Sequence, residues 1–210
     1  MMNSTDTLSS EFKKEWDRVG VYHAKGFVKN PPSWEEVLNI LNTAIRDKNP
    51  KAGLKEHSYF EIIYKDLFAM KKISYKERTH GSETIESHAT FFYSLFFNSE
   101  SLGSVISESV KNQIEDLDKI LDIKSSYTSL KIALSDKIVP YEIHNWDTCI
   151  LHLAGTTDWR LRGGLHGPEK LYVLEPGDIL FFKEGIEHEL INEKPRSSVV
   201  GTFKMGEKNE

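Results

Sequence analysis

The fold is decided by residues 177–192, which read Gly177-Asp178-Ile179-Leu180-Phe181-Phe182-Lys183-Glu184-Gly185-Ile186-Glu187-His188-Glu189-Leu190-Ile191-Asn192. Gly177 and Asp178 form a turn signal, and the four apolar residues after them are typical of a short buried strand. Gly185 marks a second loop, after which the chain returns as another strand. The pattern therefore predicts a pair of strands, the second of which presents His188 on its inner face.

The same pattern of short apolar runs and turn residues extends from Ser125 to the end of the sequence, where β-like runs alternate with Gly, Pro and Asp turns. The runs are Tyr127 to Leu134, Val139 to His144, Thr148 to Leu153, Asp158 to Leu161, Lys170 to Leu174, Asp178 to Phe182, His188 to Ile191 and Ser198 to Phe203. Short strands at this spacing predict a jelly roll or a small barrel. The predicted fold class is therefore mainly β.

The N-terminal part has a helical pattern. A run with a Ser cap, carboxylates in its first turn and apolar residues near helical period predicts a helix from Trp34 to about Arg46. A second amphipathic helix is predicted from Ser104 to Leu121, and the aromatic cluster from Thr84 to Leu95 is interpreted as a helix core packed on a sheet. We therefore expect residues 1–124 to form a helical region packed on a β core of residues 125–210, in one compact domain overall.

Composition and charge narrow the function classes. The chain has 210 residues, and 27 Lys and Arg against 32 Asp and Glu give it a formal net charge of −5. That balance argues against a generally basic nucleic-acid-binding or membrane-surface protein. No window approaches the ~18 apolar residues of a membrane span, and the N-terminal stretch has no apolar segment of signal-peptide type. We therefore expect a cytoplasmic protein without a membrane partner.

The cysteine content restricts the metal chemistry. Cys149 alone cannot form an intramolecular disulfide or a cysteine-based zinc site, so histidines and carboxylates must hold any metal. Glu142 and His144 stand two residues apart on one predicted strand, so both side chains point to the same face. With His188 from a second strand they make a set of two imidazoles and one carboxylate, which is the non-haem Fe(II) arrangement.

Two motifs carry a resemblance to the cupin superfamily. Residues 177–192 follow the second cupin motif in spacing, with Lys183 at the position of its usual Pro. The first motif is matched in spacing by Glu142-x-His144, Thr148 and Gly155. The chain resembles the JmjC-like branch of the cupins more closely still, over about residues 125 to 205. The matching positions are Pro140, Glu142-Ile143-His144, Asp147, Ile150 to Gly155, Trp159, Pro176-Gly177-Asp178 and Gly185 to His188.

This resemblance implies a double-stranded β-helix and an enzyme that uses Fe(II), 2-oxoglutarate and O₂ to hydroxylate a small-molecule or protein substrate. It implies that Glu142, His144 and His188 are the catalytic residues and metal ligands, with the carboxylate and the first imidazole exchanged relative to the His-x-Asp of the branch. The Lys that pairs with the distal carboxylate of 2-oxoglutarate in this branch falls at Thr157, which cannot form a salt bridge.

Another residue must then supply the positive charge, because an unpaired buried carboxylate costs several kcal/mol. We expect Arg196 to do so, with Arg160 as the second candidate and Lys131 as the third. Thr148 and His152 share the inward strand parity of the metal ligands, and both are further candidates for contacts with the co-substrate.

Two other functions stay open on the sequence. One is a metal-binding cupin without redox chemistry, such as a sugar isomerase or a ligand-sensing module. The other is a degenerate cupin that keeps its shell as an interaction scaffold, since a fold alone never determines function. A measurement of metal content distinguishes the scaffold from the two metal-binding functions. A measurement of oxygen consumption then distinguishes the oxygenase from the isomerase or sensor. A homodimer is a further expectation.

Overall fold

The computed structural model describes residues 4–47, 60–65, 90–96, 102–133, 137–162, 168–192 and 195–206. Its helices are α1 (Ser4–Val19), α2 (Trp34–Asp47), α3 (Leu102–Val105) and α4 (Glu108–Leu121). Its strands are β1 (Val21–Ala24), β2 (Phe60–Lys65), β3 (Thr90–Phe96), β4 (Ile123–Ala133), β5 (Lys137–Glu142), β6 (Thr148–Gly155), β7 (Thr157–Arg162), β8 (Glu169–Leu174), β9 (Ile179–Phe182), β10 (Glu187–Asn192) and β11 (Arg196–Met205). Each strand predicted after Ser125 is present, with ends shifted by a few residues.

The strands form two antiparallel sheets. The larger has the order β1-β9-β6-β11-β4-β3-β2, and the smaller has the order β5-β10-β7-β8. The strands from β4 to β11 are divided between the two sheets, with β4, β6, β9 and β11 in the larger one. Apolar side chains from both sheets pack on each other between them. This is the topology of a double-stranded β-helix, so the predicted fold class is confirmed.

Strands from the N-terminal part extend the larger sheet. β1 pairs with β9, and β3 pairs with both β4 and β2. The expected helix core from Thr84 to Leu95 is therefore wrong over its described part, because Thr90–Phe96 is strand β3. Its run of Thr, Phe and Tyr has high strand propensity, and pairing with β4 satisfies its backbone. Residues 84–89 lie outside the described residues, and the boundary between residues 124 and 125 stays a prediction.

The larger sheet is covered on both faces. In β6, Cys149, Leu151 and Leu153 pack in the cluster that includes residues of α1, α2 and α4, whereas Ile150 packs toward the smaller sheet. This explains the unbroken burial along most of β6, which is typical of a strand buried on both sides. The cluster inside the barrel consists of Val21, Ile150, Leu161, Tyr172, Leu174, Leu180, Phe182 and Ile186.

The helix before the barrel strands begins at a side-chain cap. The sequence predicts one helix from Ser104 to Leu121, but the structure divides it into α3 and α4. The division occurs at Ser107, whose Oγ accepts a hydrogen bond of 3.3 Å from the backbone N of Val110 and so caps α4. None of the described helices is long and apolar enough to cross a membrane.

The Asp178 carboxylate forms hydrogen bonds that connect the N-terminal segment at His23 and Gly26 to the barrel. Its Oδ2 lies 2.8 Å from Nε2 of His23, and its Oδ1 accepts a hydrogen bond of 2.6 Å from the backbone N of Gly26. The backbone N of Glu175 also donates to Oδ2, at 3.1 Å. Because the Asp178 side chain is buried, water competes little for these hydrogen bonds.

Asp178→Asn should lower the free energy of unfolding by about 2 kcal/mol, because hydrogen bonds to a charged acceptor contribute about 1.5–3 kcal/mol and the amide keeps one acceptor oxygen. Urea denaturation measures this change. Glu184→Gln is the control, since Glu184 is exposed and its loss of charge should change stability by less than about 0.5 kcal/mol. Equal stability of the two variants would contradict a stabilising role for the Asp178 carboxylate.

Candidate metal centre

The three predicted ligands meet at one end of the barrel. Glu142 is the last residue of β5 and stands directly opposite His188 of β10, so the two side chains share one face. His144 follows two residues after the end of β5, and its ring centroid lies 4.6 Å from that of His188. The pairing of β5 with β10 thus brings together residues that are distant in sequence.

The donor atoms are close enough to surround one ion. One ligand atom from each of Glu142, His144 and His188 lies within 4.8 Å of the others. Metal bonds of about 2.1 Å at right angles place donors about 3 Å apart, so small side-chain rotations complete the set. The Glu142 side chain is 49% exposed and can make this adjustment, whereas His188 is only 4% exposed and is held in place.

Hydrogen bonds determine which nitrogen each histidine offers. Nδ1 of His188 lies 3.0 Å from the carbonyl oxygen of Ile186. Because a carbonyl only accepts, Nδ1 carries the proton and Nε2 keeps its lone pair for a metal. Nδ1 of His144 shares a hydrogen bond of 3.3 Å with the hydroxyl of Thr148, which leaves Nε2 of His144 for the cluster. Thr148 therefore contacts a candidate ligand, and its direct contact with a co-substrate stays a prediction.

Electrostatics favour the metal-binding forms of these groups. The hydrogen bond with His144 lowers the pKa of Glu142, and the nearby Lys131 ammonium acts in the same direction. Burial lowers the pKa of His188. An ionised carboxylate and a neutral imidazole are the forms that bind a metal ion. Glu142 therefore stays ionised, and His188 stays neutral, at pH values low enough to protonate an ordinary glutamate or histidine side chain.

Lys131 brings a positive charge to this cluster from the opposite sheet. It lies in β4 opposite Ser198 of β11, two residues before Val200, which packs on the cluster inside the barrel. Because paired residues share a face, Lys131 points into the barrel. The hydrogen bond with His144 is the main cause of the lowered pKa of Glu142 and burial is the main cause for His188, and the Lys131 charge lowers both pKa values further. Among the three predicted cations, Lys131 is the one whose charge acts on this cluster.

Arg196, the first candidate, lies further along the barrel than Lys131, and its contact with a co-substrate stays a prediction. Arg196 stands opposite Gly155, the last residue of β6. The metal cluster contacts Thr148, the first residue of the same strand. Seven residues of strand separate these two positions of β6 by about 23 Å. Arg196 therefore lies one inward step of β11, about 7 Å, beyond Ser198, which stands opposite Lys131.

Arg160 lies on the outer face of the smaller sheet, which corrects the second candidate. Its Nη1 is 2.8 Å from Oε2 of Glu189, and its Nε is 3.1 Å from Oε1 of Glu169. Its neighbour Leu161 packs inside the barrel, and successive strand residues point to opposite faces. The Arg160 guanidinium therefore pairs with carboxylates on the outside of the barrel.

His152 is a hydrogen-bonded core residue, so its predicted contact with a co-substrate is not supported. It is fully buried, with Nε2 3.0 Å from the carbonyl oxygen of Gly155 and Nδ1 2.9 Å from Oγ of Ser198. Nε2 donates to the carbonyl, and Nδ1 then accepts from the Ser198 hydroxyl. Both ring nitrogens are thus engaged inside the protein.

The buried His152 should make stability depend on pH. Burial lowers its pKa to about 4, whereas a histidine in the unfolded chain titrates near about 6.5. The unfolded chain therefore takes up the proton first, so the contribution of His152 to stability is complete above about pH 6.5 and is lost as the pH falls toward 4.

When the pH falls from 7 to 5, the preferential protonation of His152 in the unfolded chain should reduce the free energy of unfolding by about 2 kcal/mol. Urea denaturation of the parent protein and of His152→Gln at both pH values measures this contribution. The variant should lose about 2 kcal/mol of the pH dependence, and the comparison removes the effects of other histidines. An unchanged pH dependence in the variant would show that His152 is protonated equally in both states.

Two polar atoms inside the barrel have no hydrogen-bond partner among the described residues, namely Nε1 of Trp159 and Oγ1 of Thr157. Both residues share the inward face of β7 with Leu161. The Trp159 ring centroid lies 6.0 Å from that of His188. The spacing of Thr157 from Trp159 and Leu161, two and four residues, is the sequence signal that indicates one shared inward face.

The fold and the cluster together define a class: a double-stranded β-helix with two histidines and one carboxylate at the mouth of its barrel. No family model matches the chain, and no curated protein matches it. Solved structures do. A prolyl hydroxylase from Trichoplax adhaerens, in complex with a hypoxia inducible factor oxygen degradation domain peptide fragment, has a TM-score of 0.53 at 12% identity, over 95% of this chain and 90% of that chain.

Two further solved structures are similar. An oxidoreductase of the 2OG-Fe(II) oxygenase family from Burkholderia pseudomallei has a TM-score of 0.52 at 10% identity, over 93% of this chain and 90% of that chain. Escherichia coli ycfD has a TM-score of 0.50 at 18% identity, over 100% of this chain and 55% of that chain, so the present chain spans about half of its length. At these identities the similarity establishes the fold.

Proposed function

We propose that the protein is an Fe(II)- and 2-oxoglutarate-dependent oxygenase that hydroxylates its substrate. The observation that carries the proposal is the cluster of Glu142, His144 and His188 at the mouth of a double-stranded β-helix. Two imidazoles and one carboxylate with open positions are the ligand set of non-haem Fe(II) oxygenases. The names of the similar structures, a 2OG-Fe(II) oxygenase family member and a prolyl hydroxylase, support the same activity.

The donor set fits Fe(II), and each ligand has a separate role. The metal, when bound, supplies a Lewis acid with open positions at which a 2-oxo acid and O₂ can react. His188, held by the carbonyl of Ile186, provides a fixed nitrogen. Glu142 provides the negative charge that offsets part of the metal charge. His144 completes the facial set, with its ring oriented by Thr148 and stacked on Trp146 at a centroid distance of 4.8 Å.

The rest of the barrel mouth binds the co-substrate and limits the access of water. Lys131 points toward the cluster and offers an ammonium to a carboxylate of 2-oxoglutarate. Apolar residues such as Phe182 and Leu161 line the interior beside it, so this ion pair lies in an environment less polar than bulk water. The charge of Lys131 therefore has a larger effect here than it would at the surface.

The proposed substrate site lies beside His144, at the mouth of the barrel. The half-exposed indole of Trp146 lies beside His144, where a small molecule or a protein side chain can contact it. We place the reaction in the cytoplasm and expect a homodimer, without a membrane or nucleic-acid partner. Size-exclusion chromatography with light scattering measures the oligomeric state directly.

Anaerobic titration with Fe(II), with and without 2-oxoglutarate, tests the activity. We expect stoichiometric metal binding and a weak visible charge-transfer band that requires both components. Admission of O₂ should then convert 2-oxoglutarate to succinate and CO₂. Metal binding without any turnover of 2-oxoglutarate would contradict the oxygenase and support a metal-binding cupin without redox chemistry. Absence of metal binding would support a scaffold.

A further inference from the structure

His144 is a candidate ligand that no strand holds. Strand β5 ends at Glu142, and His144 follows in the short segment before β6. The ladder that places Glu142 opposite His188 therefore stops before His144. The imidazole of His144 nevertheless lies close to both other ligands, with its ring centroid 4.6 Å from that of His188 and its Nε2 3.7 Å from Oε2 of Glu142. Contacts outside the sheet ladder must hold the ring there.

The backbone around His144 is tied to the loop that precedes His188. The backbone N of Gly185 donates a hydrogen bond of 2.8 Å to the carbonyl oxygen of His144. Oδ1 of Asp147 accepts a hydrogen bond of 3.0 Å from the backbone N of Glu184. The carbonyl oxygen of Asp147 accepts another, of 3.2 Å, from the backbone N of Phe203 in β11. Asp147 is therefore anchored to the larger sheet by its backbone and to the loop of residues 183–186 by its side chain.

The same loop orients the second imidazole. Ile186 is buried in the cluster inside the barrel, and its carbonyl oxygen accepts the hydrogen bond from Nδ1 of His188. The Asp147 carboxylate holds this loop two residues before Ile186, at the backbone N of Glu184. One side chain thus connects the segment that carries His144 to the loop that orients His188.

We infer that Asp147 is a positioning residue of the metal centre: its carboxylate fixes the imidazoles of His144 and His188 relative to each other. Asp147 acts through the two histidines, since its own donor atoms are not part of the ligand cluster. Groups that orient metal ligands typically change metal affinity by about 10–100-fold when they are removed. The inference rests on the metal site of the proposed function and on no later step of the reaction.

The test is an anaerobic titration of the full chain with Co(II) alone, which reports both affinity and, through its visible absorption bands, the arrangement of the ligands. Asp147→Ala removes the acceptor. Asp147→Asn keeps an acceptor oxygen in place without the charge, whereas Asp147→Glu keeps the charge but moves the oxygen by one C–C bond, about 1.5 Å. Asp118→Ala is the matched control, because the Asp118 carboxylate accepts a hydrogen bond of 2.8 Å from the backbone N of Ser125 and so joins α4 to β4.

Asp147→Ala should weaken Co(II) binding by about tenfold or more and change the visible bands at saturating Co(II), because His144 loses its fixed position. Asp147→Asn should recover most of the affinity and the bands of the parent protein. Asp147→Glu should bind Co(II) more weakly than Asp147→Asn, since its oxygen no longer meets the backbone N of Glu184 at the same place. Asp118→Ala should lower the stability to urea but keep the affinity and the bands of the parent protein.

Parent-like affinity and bands in Asp147→Ala would overturn the inference, and so would an equal loss of affinity in Asp118→Ala, which would indicate general destabilisation. If circular dichroism shows that Asp147→Ala does not fold, the other two variants decide: the inference holds only if Asp147→Asn binds Co(II) more tightly than Asp147→Glu. These outcomes leave the oxygenase proposal intact.

Failure of the proposed function gives different results. A parent protein that binds Co(II), but whose Fe(II)-loaded form does not turn over 2-oxoglutarate, contradicts the oxygenase and leaves the role of Asp147 standing. A parent protein that does not bind Co(II) overturns the metal centre and the positioning role together.

Discussion

His188→Ala and His144→Ala should each abolish stoichiometric Fe(II) binding while the fold survives. The cluster has three protein ligands, and the two that remain after either substitution cannot form a facial set. Metal content after anaerobic loading and desalting measures the loss, and circular dichroism checks the fold. The expected result is a metal content near one ion per chain in the parent protein and near zero in both variants.

The controls use residues away from the cluster. His23→Gln removes a partly buried histidine that contacts Asp178 rather than the candidate ligands, and Cys149→Ser changes a thiol on the helix side of β6. Both variants should keep the metal content of the parent protein. Full occupancy in both His188→Ala and His144→Ala would refute the three-ligand site.

Glu142 needs its own variants because it is the most exposed of the three ligands. Glu142→Gln keeps the shape but removes the charge that offsets Fe(II), so the affinity for metal should fall. Glu142→Asp withdraws the carboxylate by one C–C bond, about 1.5 Å, and should also weaken binding. If both variants bind metal like the parent protein, Glu142 is a structural residue and the site has two histidine ligands.

The second large effect concerns Lys131. Lys131→Met should weaken 2-oxoglutarate binding to the Mn(II)-loaded protein by about tenfold or more, because a carboxylate inside the barrel would lose its charged partner. Lys131→Arg keeps the charge and should recover part of the affinity. Calorimetric titration under anaerobic conditions measures each variant.

Arg160→Met is the matched control for Lys131→Met. It removes a cation of the smaller sheet that pairs with Glu189 outside the barrel, so it should leave the affinity for 2-oxoglutarate unchanged. Parent-like affinity of Lys131→Met, together with a strong loss in Arg196→Met, would instead restore the order of candidates that the sequence suggested.

The barrel and its candidate ligands could be predicted from sequence because their signals are local. Turn residues such as Gly177 and Gly185 mark the ends of short apolar strands, and each of these strands is present in the structure. Strand alternation predicts Glu142 and His144 on one face. In the structure β5 ends at Glu142, and the chain after it brings His144 beside Glu142, with Nε2 of His144 3.7 Å from Oε2 of Glu142. The helix prediction is less exact, since a single helix from Ser104 to Leu121 leaves out the Ser107 cap that separates α3 from α4.

Strand β3 shows where local signals were insufficient. Its aromatic residues suit either a helix packed on a sheet or a strand, and the pairing with β4 and β2 decides between them. That pairing joins segments that are far apart in the sequence, and local strand propensity does not predict which distant segments pair. A short apolar run is thus assigned by its neighbours in space rather than by its composition.

The sequence by itself determined the strand order along the chain, the types of the candidate ligands and the inward parity of Glu142 and His188. Strand order follows from local turn signals, and parity follows from the period of two residues along a strand. Only the tertiary structure shows where each candidate cation lies along the barrel. Parity cannot tell how far along the barrel a residue lies, and only the pairing of β11 with β6 shows that Arg196 stands opposite Gly155, seven residues along β6 from Thr148. Lys131 faces the barrel interior because β4 joins the larger sheet beside β11, a placement that depends on long-range pairing.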